Sequence, residues 1–383
     1  MQMYKIGFPQ KVYSGLGAVA ELPRILQEKG IRSVLVMTDP GVYRQEAVQK
    51  GLAGLNELQV TCIHDIPPEP SVYDIKRVYD EAVRAGAQAV VAVGGGSVMD
   101  MTKMIAACLT NPGYVENVQE TSMIRNAPAL TVMIPTTAGT GAEATPNAIF
   151  LFPEQNLKVG IVSDSFVASC VILDGEMTRS LPKSLTASTG IDALCHAVES
   201  YISILANPLS KTFSRAAVQK ICANLERAWK DGSDMEARQN MLEAAFLAGV
   251  CLTSSSTVAV HALSYPLGGK YHIPHGISNA ILLASVMRLN LPDCRKAFAE
   301  LAPLMLPDAA SIPEAEWPEA VVDYMQQLCK RLEIADSLKP FGVNPEDLDY
   351  LTENAMEVKR LLLKNPRTLT KEEIRGVYEG LLQ

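Results

Sequence analysis

Ala89-Val90-Val91-Ala92-Val93 runs without a break into Gly94-Gly95-Gly96-Ser97-Val98-Met99-Asp100. The apolar run reads as a strand buried on both faces, and a helical pattern follows it from Ser97 to Leu109. The glycines between them let a ligand approach the backbone, because no β-carbon stands in the way. Unsatisfied amides at the helix start point at an anion, and the helix dipole favours negative charge there. A pyrophosphate is held in this way at the carboxyl end of a parallel strand. The same residues also suit a plain strand-to-helix turn with Ser97 as its N-cap.

The segments on either side favour the first reading. A second buried run, Ala129–Ile134, meets Pro135-Thr136-Thr137-Ala138-Gly139-Thr140-Gly141, whose hydroxyls and glycines suit phosphate or ribose. Ser33–Thr38 and Val60–Ile66 are further strand runs, and Tyr73–Ala85 has helical spacing. Strands separated by helix-length segments imply a parallel, doubly wound sheet flanked by helices. Asn147–Phe152 and Leu157–Val162, divided by Pro153-Glu154-Gln155-Asn156, read as a hairpin edging that sheet. Asp39 ends an early strand, where a carboxylate can bind a ribose diol and repel a 2′-phosphate, favouring NAD over NADP. It serves equally well as a turn residue before Pro40.

After Asp174 strand signals nearly vanish. Helical patterns cover Pro182–Leu205, Leu209–Trp229, Met235–Leu252, Asn279–Leu289, Ala315–Leu332 and Lys371–Leu382. The expected organisation is an α/β dinucleotide-binding domain over 1–178 and an all-helical domain over 179–383.

The 383 residues carry a net charge of −8 with no basic run, which argues against a nucleic-acid surface. No apolar run approaches the ~20 residues that span a membrane, and the N-terminus has no signal-peptide pattern. Eight cysteines without a CxxC pair read as buried, reduced thiols of a cytoplasmic protein.

Only five histidines are present, and four of them fall in the helical half. Asp192 and His196 are spaced to share one helix face, as a pair of metal ligands requires. They also suit an ordinary ion pair. His261 and His275 flank Pro266, Gly268, Gly269 and Pro274, so they come from two segments folded back on each other. One carboxylate and three imidazoles make an oxygen/nitrogen set that fits Fe²⁺ or Zn²⁺. Such a metal can polarise an alcohol oxygen as a Lewis acid. His272 reads as a non-ligand and His64 as structural.

With these residues in place, the chain resembles the iron-containing alcohol dehydrogenase family over nearly its whole length. The carriers are Gly94–Asp100 with Lys103, Pro135–Glu143, Gly190–Glu199, His261–Gly268 and Pro274–Gly276. The resemblance implies a dehydroquinate synthase-like fold. It implies Asp192, His196, His261 and His275 as metal ligands. Asp39, Gly95, Gly96, Ser97, Asp100, Thr136, Thr137, Thr140 and Lys158 are implied for the NAD site. Ala142 replaces the serine usual in the second loop. Tyr265 stands where many members have a histidine assigned to proton transfer. It either relays a proton or shapes the pocket while water does so.

The Ser264-Tyr265-Pro266 version, and Lys359–Arg367 near the C-terminus, are similar to members acting on ω-hydroxy acids, especially 4-hydroxybutyrate dehydrogenases. Arg360, with Lys270 second, is the candidate for holding a substrate carboxylate. The implied activity is hydride transfer between NAD(H) and a small primary alcohol or aldehyde, with 4-hydroxybutyrate and succinate semialdehyde as the leading pair. Rival readings are another short-chain alcohol or diol, a lyase of dehydroquinate synthase type, and a non-catalytic metal- and nucleotide-binding protein. A homodimer or larger homo-oligomer is also implied.

Overall fold

The computed structural model describes residues 3–155 and 157–383. Asn156, in the turn expected between the hairpin strands, lies outside the described residues, as do Met1 and Gln2. The chain divides into two compact units, Gly7–Leu181 and Pro182–Gln383, the second joined by the N-terminal residues up to Ile6.

The first unit runs β1 (Lys11–Ser14), α1 (Leu22–Glu28), β2 (Ser33–Thr38), α2 (Pro40–Tyr43), α3 (Glu46–Ala53), β3 (Gln59–Ile63), α4 (Val72–Arg84), β4 (Ala89–Gly94) and α5 (Gly96–Thr110). It continues with β5 (Leu130–Pro135), β6 (Asn147–Phe152), β7 (Leu157–Val162) and β8 (Cys170–Leu173). Six strands form one parallel sheet in the order β1-β8-β5-β4-β2-β3. Val34, Val36, Val91, Val93, Val132 and Ile134 pack with Leu22, Leu26 and Leu55 against one face. The alternate positions, Leu35, Met37, Val90, Ala92 and Met133, are equally buried. Cover on both faces is why these strands read as unbroken apolar runs. Each such valine, leucine, isoleucine or methionine contributes about 1.5–3 kcal/mol on burial.

The sheet grows outward from β2 to β3, then returns to β4 and grows the other way. Open parallel sheets take ligands outside the carboxyl ends at such a switch point. Thr38, the last residue of β2, pairs with Val93, so Asp39 and the final residue of β4, Gly94, lie at neighbouring strand ends.

Two expectations for this unit need correction. The N-cap of α5 is Gly95, and Ser97 lies inside the helix. β6 and β7 pair antiparallel as a ladder of their own, while the edges of the main sheet are β1 and β3. The reason is anchoring from α5: Asp100 Oδ2 accepts from Ile149 N at 3.0 Å, and Lys103 Nζ donates to Asn147 O at 2.6 Å.

The second unit holds α6 (Lys183–Ile202), α7 (Pro208–Lys230), α8 (Met235–Leu252), α9 (Ala259–Tyr271) and α10 (His275–Met305). They are followed by α11 (Trp317–Arg331), α12 (Leu348–Glu357), α13 (Lys359–Leu362) and α14 (Lys371–Gly380). α6 is buried almost all round, because α7, α8 and α10 all pack on it. Pro266, Gly268 and Gly269 lie within α9 instead of a loop, and α10 runs through Pro292 and Pro303. A helical proline forfeits one backbone bond, which tertiary packing can outweigh. The chain reverses at His272, the left-handed C-cap of α9 (φ 54°). Among the described residues no helix is long and apolar enough to cross a membrane. All eight cysteines are free thiols.

Candidate metal centre and cofactor loops

In the first unit the two glycine- and threonine-bearing loops lie side by side. Thr136 N donates to Gly94 O at 3.1 Å. A β-carbon on Gly95 would stand 3.5 Å from Thr137, and one on Gly96 would stand 3.1 Å from the Thr140 methyl. A side chain at 96 would press on Thr140 by a few tenths of an ångström, so glycine there eases the approach of the second loop to the start of α5. The structure brings Gly95, Gly96, Thr136, Thr137 and Thr140 to one place, with helix amides free to meet an anion.

Ser97 and Lys158 converge on Glu69. Glu69 N donates to Ser97 Oγ at 3.1 Å, and Lys158 Nζ pairs with Glu69 Oε1 at 2.5 Å. Asp39 caps α2: its Oδ1 accepts from Gly41 N and Val42 N, both at 2.9 Å. Asp100 is bonded elsewhere: its Oδ2 accepts from Ile149 N at 3.0 Å. It is buried and turned towards β6, with Lys103 Nζ 3.4 Å from its Oδ1. Burial raises the Asp100 pKa against the pull of Lys103, and burial lowers that of Lys103 against the pull of Asp100.

The sequence reading missed Glu143 at the end of the second loop. It is buried, and its Oε1 has no hydrogen-bond partner among the described residues. Burial raises its pKa from 4.5 to about 7.

In the second unit three imidazoles surround one carboxylate oxygen. Asp192 Oδ1 lies 3.8 Å from His196 Nε2, 3.6 Å from His261 Nε2 and 3.8 Å from His275 Nε2. Asp192 and His196 share a face of α6, as their spacing requires. His261 sits in the first turn of α9 and stacks on His196 with ring centroids 4.8 Å apart. His275 opens α10. A β-carbon on the next residue, Gly276, would stand 2.5 Å from Ser188 O, so only glycine lets α10 start this close to α6.

Donors held about 2.1 Å from a tetrahedral cation lie on the order of 3.4 Å from one another. Asp192, His261 and His275 offer donor atoms all within 4.8 Å of one another, a looser spacing than that ideal, while His196 is outside this group and approaches through Asp192 Oδ1 at 3.8 Å. The chemistry fits. Burial opposes charge on Asp192, yet the imidazoles of His196, His275 and His261 prevail and hold its pKa far below the usual carboxylate range. Burial likewise opposes charge on His261, but Glu199 and Asp192 outweigh it and raise its pKa. One buried carboxylate thus faces three imidazole nitrogens, a donor set that suits a divalent cation. His275 is 42% exposed, which leaves this side of the centre open.

Glu199 was not singled out from the sequence. Its two oxygens take His261 Nδ1 and Val260 N, the latter at 2.7 Å, leaving Nε2 of His261 turned to the centre. Its signal was present: Asp192, His196 and Glu199 recur along one helix face.

Tyr265 lies beside His275, ring centroids 6.3 Å apart, and Arg360 Nη2 donates to its hydroxyl at 2.8 Å. Lys270 is not brought to this place. Its Nζ pairs with Asp347 at 2.6 Å and lies over the Tyr350 ring.

Residues 9–175 match the family model for iron-containing alcohol dehydrogenase, and residues 186–382 match the C-terminal model of the Fe-containing alcohol dehydrogenase family. The chain is 33% identical over 385 residues to long-chain-alcohol dehydrogenase 1 of Geobacillus thermodenitrificans, covering 99% of this chain and 97% of that one. A crystal structure of 1,3-propanediol oxidoreductase superposes with a TM-score of 0.95 at 31% identity, over 100% of both chains. The NAD⁺ complex of sulfoacetaldehyde reductase from Bifidobacterium kashiwanohense superposes with a TM-score of 0.89 at 26% identity, over 100% of this chain and 99% of that one. The fold is the dehydroquinate synthase-like pairing of an α/β unit with an all-helical one.

Proposed function

Because the chain belongs to the iron-containing alcohol dehydrogenase family, we propose that it interconverts small primary alcohols and aldehydes with NAD(H) and a divalent cation. The observation that carries this reading is the approach of three imidazole nitrogens to Asp192 Oδ1. When bound, the cation supplies Lewis acidity towards the substrate oxygen, and NAD supplies the hydride acceptor. Asp192, His196, His261 and His275 hold the cation. The donor set accepts Fe²⁺ or Zn²⁺, and the family's name favours iron.

The amides at the start of α5, with Thr136, Thr137, Thr140 and Ser97, bind the pyrophosphate and adjoining ribose. Lys158 adds a positive charge, exchanging Glu69 for phosphate. Asp39 at the end of β2 disfavours a 2′-phosphate, hence NAD over NADP. Tyr265 and Arg360 bind the substrate end remote from the reacting carbon. That favours an anionic ω-hydroxy acid, with 4-hydroxybutyrate and succinate semialdehyde as the leading pair. The enzyme works in the cytoplasm as a homodimer or larger homo-oligomer.

An anaerobic screen of NADH absorbance, with defined metal and both nicotinamide cofactors, tests this reading. Terminal alcohols should give steady NADH, with 4-hydroxybutyrate ahead of 1-butanol. Preference for secondary alcohols removes the substrate assignment. Cofactor binding with no net NADH from any alcohol favours a lyase that recycles its cofactor, or a protein without turnover.

A further inference from the structure

The side-chain amide of Asn279 stands among the donor atoms of the metal centre. Its Nδ2 is 2.7 Å from Asp192 Oδ1, 3.1 Å from His275 Nε2 and 3.2 Å from His261 Nε2. Asn279 is 0% exposed, and its Oδ1 is buried with no hydrogen-bond partner among the described residues. It lies one turn after His275 on α10, so the two side chains share a face. Leaving a buried amide oxygen unbonded costs on the order of 1–3 kcal/mol. An apolar residue of similar size would avoid that cost. The donor end of the amide must therefore be needed here.

What it meets explains the need. Asp192 Oδ1 is the atom that all three imidazoles approach, and the Asn279 contact to it is shorter than any of theirs. A carboxylate oxygen has a second lone pair, so Asp192 can accept from Asn279 and bind a cation with the same oxygen. The bond to Asp192 fixes the carboxylate in the metal-free chain, and its second lone pair would let it remain with a cation bound, whereas His261 and His275, with one lone pair on each Nε2, would have to turn theirs from the amide to the cation.

We propose that Asn279 is a positioning residue of the metal centre, holding Asp192 Oδ1 where His196, His261 and His275 converge and so setting how tightly the cation is held. This rests on the reading of those four residues as ligands. Partners that orient metal ligands typically change metal affinity by about 10- to 100-fold when removed.

The test uses the full chain stripped of metal, titrated with Zn²⁺ against a chromophoric chelator, and the absorption spectrum of its Co²⁺ form. Asn279→Ala and Asn279→Leu, which keeps the branched shape but lacks the donor, should both weaken Zn²⁺ binding by about 10- to 100-fold and alter the Co²⁺ spectrum. Without metal Asn279→Leu should still fold cooperatively, and its NAD affinity should stay at the wild-type value. Wild-type Zn²⁺ affinity in Asn279→Leu would show that Asn279 only fills space, and the proposal fails while the ligand assignment stands. A wild-type chain that takes neither Zn²⁺ nor Co²⁺ overturns the ligand assignment and this proposal together.

Discussion

Arg360 Nη2 donates to the Tyr265 hydroxyl at 2.8 Å, and its guanidinium lies 5.7 Å over that ring. The contact carries a basic side chain from α13 to the edge of the metal centre. Lys364 is close enough that Arg360, after burial, lowers its pKa. Among the described residues neither cation has a carboxylate within ion-pairing distance. Two neighbouring positive charges without a counter-ion suit an anionic substrate. Hydrogen bonds to charged groups contribute about 1.5–3 kcal/mol, and Arg360 is exposed, so the lower end applies. Arg360→Gln should raise KM for 4-hydroxybutyrate about tenfold and leave 1-butanol nearly unchanged. Equal losses on both alcohols would remove Arg360 from substrate recognition.

Tyr265 and Arg360 should act as one unit. Tyr265→Phe removes the oxygen that orients the guanidinium while keeping the ring beneath it. The two substitutions together should then cost less than the sum of their separate effects on kcat/KM for an anionic alcohol, by about 0.5–1 kcal/mol or more. Strict additivity in the double-mutant cycle would mean the 2.8 Å bond has no part in binding.

Glu199 is the clearest case of a residue that orients a ligand. It holds the far nitrogen of His261 and thereby fixes which nitrogen faces the cation. Glu199→Gln keeps the shape but replaces one accepting oxygen with a donor. Metal affinity, measured by chelator competition, should fall by about 10- to 100-fold with NAD binding unchanged. An unaltered affinity would leave Glu199 as a core residue only.

These residues also mark how far the sequence could be read. Asp192 and His196 were legible because both sit on one helix, where spacing alone fixes the face. Gly94–Gly96 and Thr136–Thr140 were legible because strand ends in a parallel sheet have a composition of their own. Asn279 obeys the same spacing rule relative to His275, but Pro274 and Gly276 disguise the start of α10. Tyr265 and Arg360 lie on α9 and α13, far apart in sequence, and no local pattern announces a contact of that kind. β1 and β8, at four residues each, are too short to show a period, and only their parallel pairing reveals them. Asp100 belongs to the cofactor motif in sequence, yet its carboxylate turns to β6, because that strand lies over α5.

The cofactor loop separates stability from binding at adjacent glycines. A β-carbon on Gly94 would stand 2.6 Å from a Val98 methyl, whereas one on Gly95 meets only Thr137, at 3.5 Å. Gly94→Ala should therefore lower the melting temperature through overpacking, at a cost of about 1–3 kcal/mol. Gly95→Ala should fold normally but weaken NAD binding about tenfold or more, since its methyl occupies the space a pyrophosphate needs. The two are told apart by thermal melting beside NAD calorimetry. Full NAD affinity in Gly95→Ala would move the pyrophosphate away from this turn.

Glu143 makes the first unit sensitive to pH in a direction fixed by its burial. Its pKa is raised from 4.5 to about 7, so between those values the folded chain keeps a proton that the unfolded chain has lost. Stability from this group is full below about pH 4.5 and falls as pH rises through about 7. The shift corresponds to roughly 3 kcal/mol at its limit. Glu143→Gln keeps the shape and cannot ionise. Without cofactor it should melt several degrees above the wild type at about pH 8, and within about a degree of it near pH 5. A constant difference across that range would mean that Glu143 does not titrate there, and that its unpartnered oxygen is stabilised in some other way.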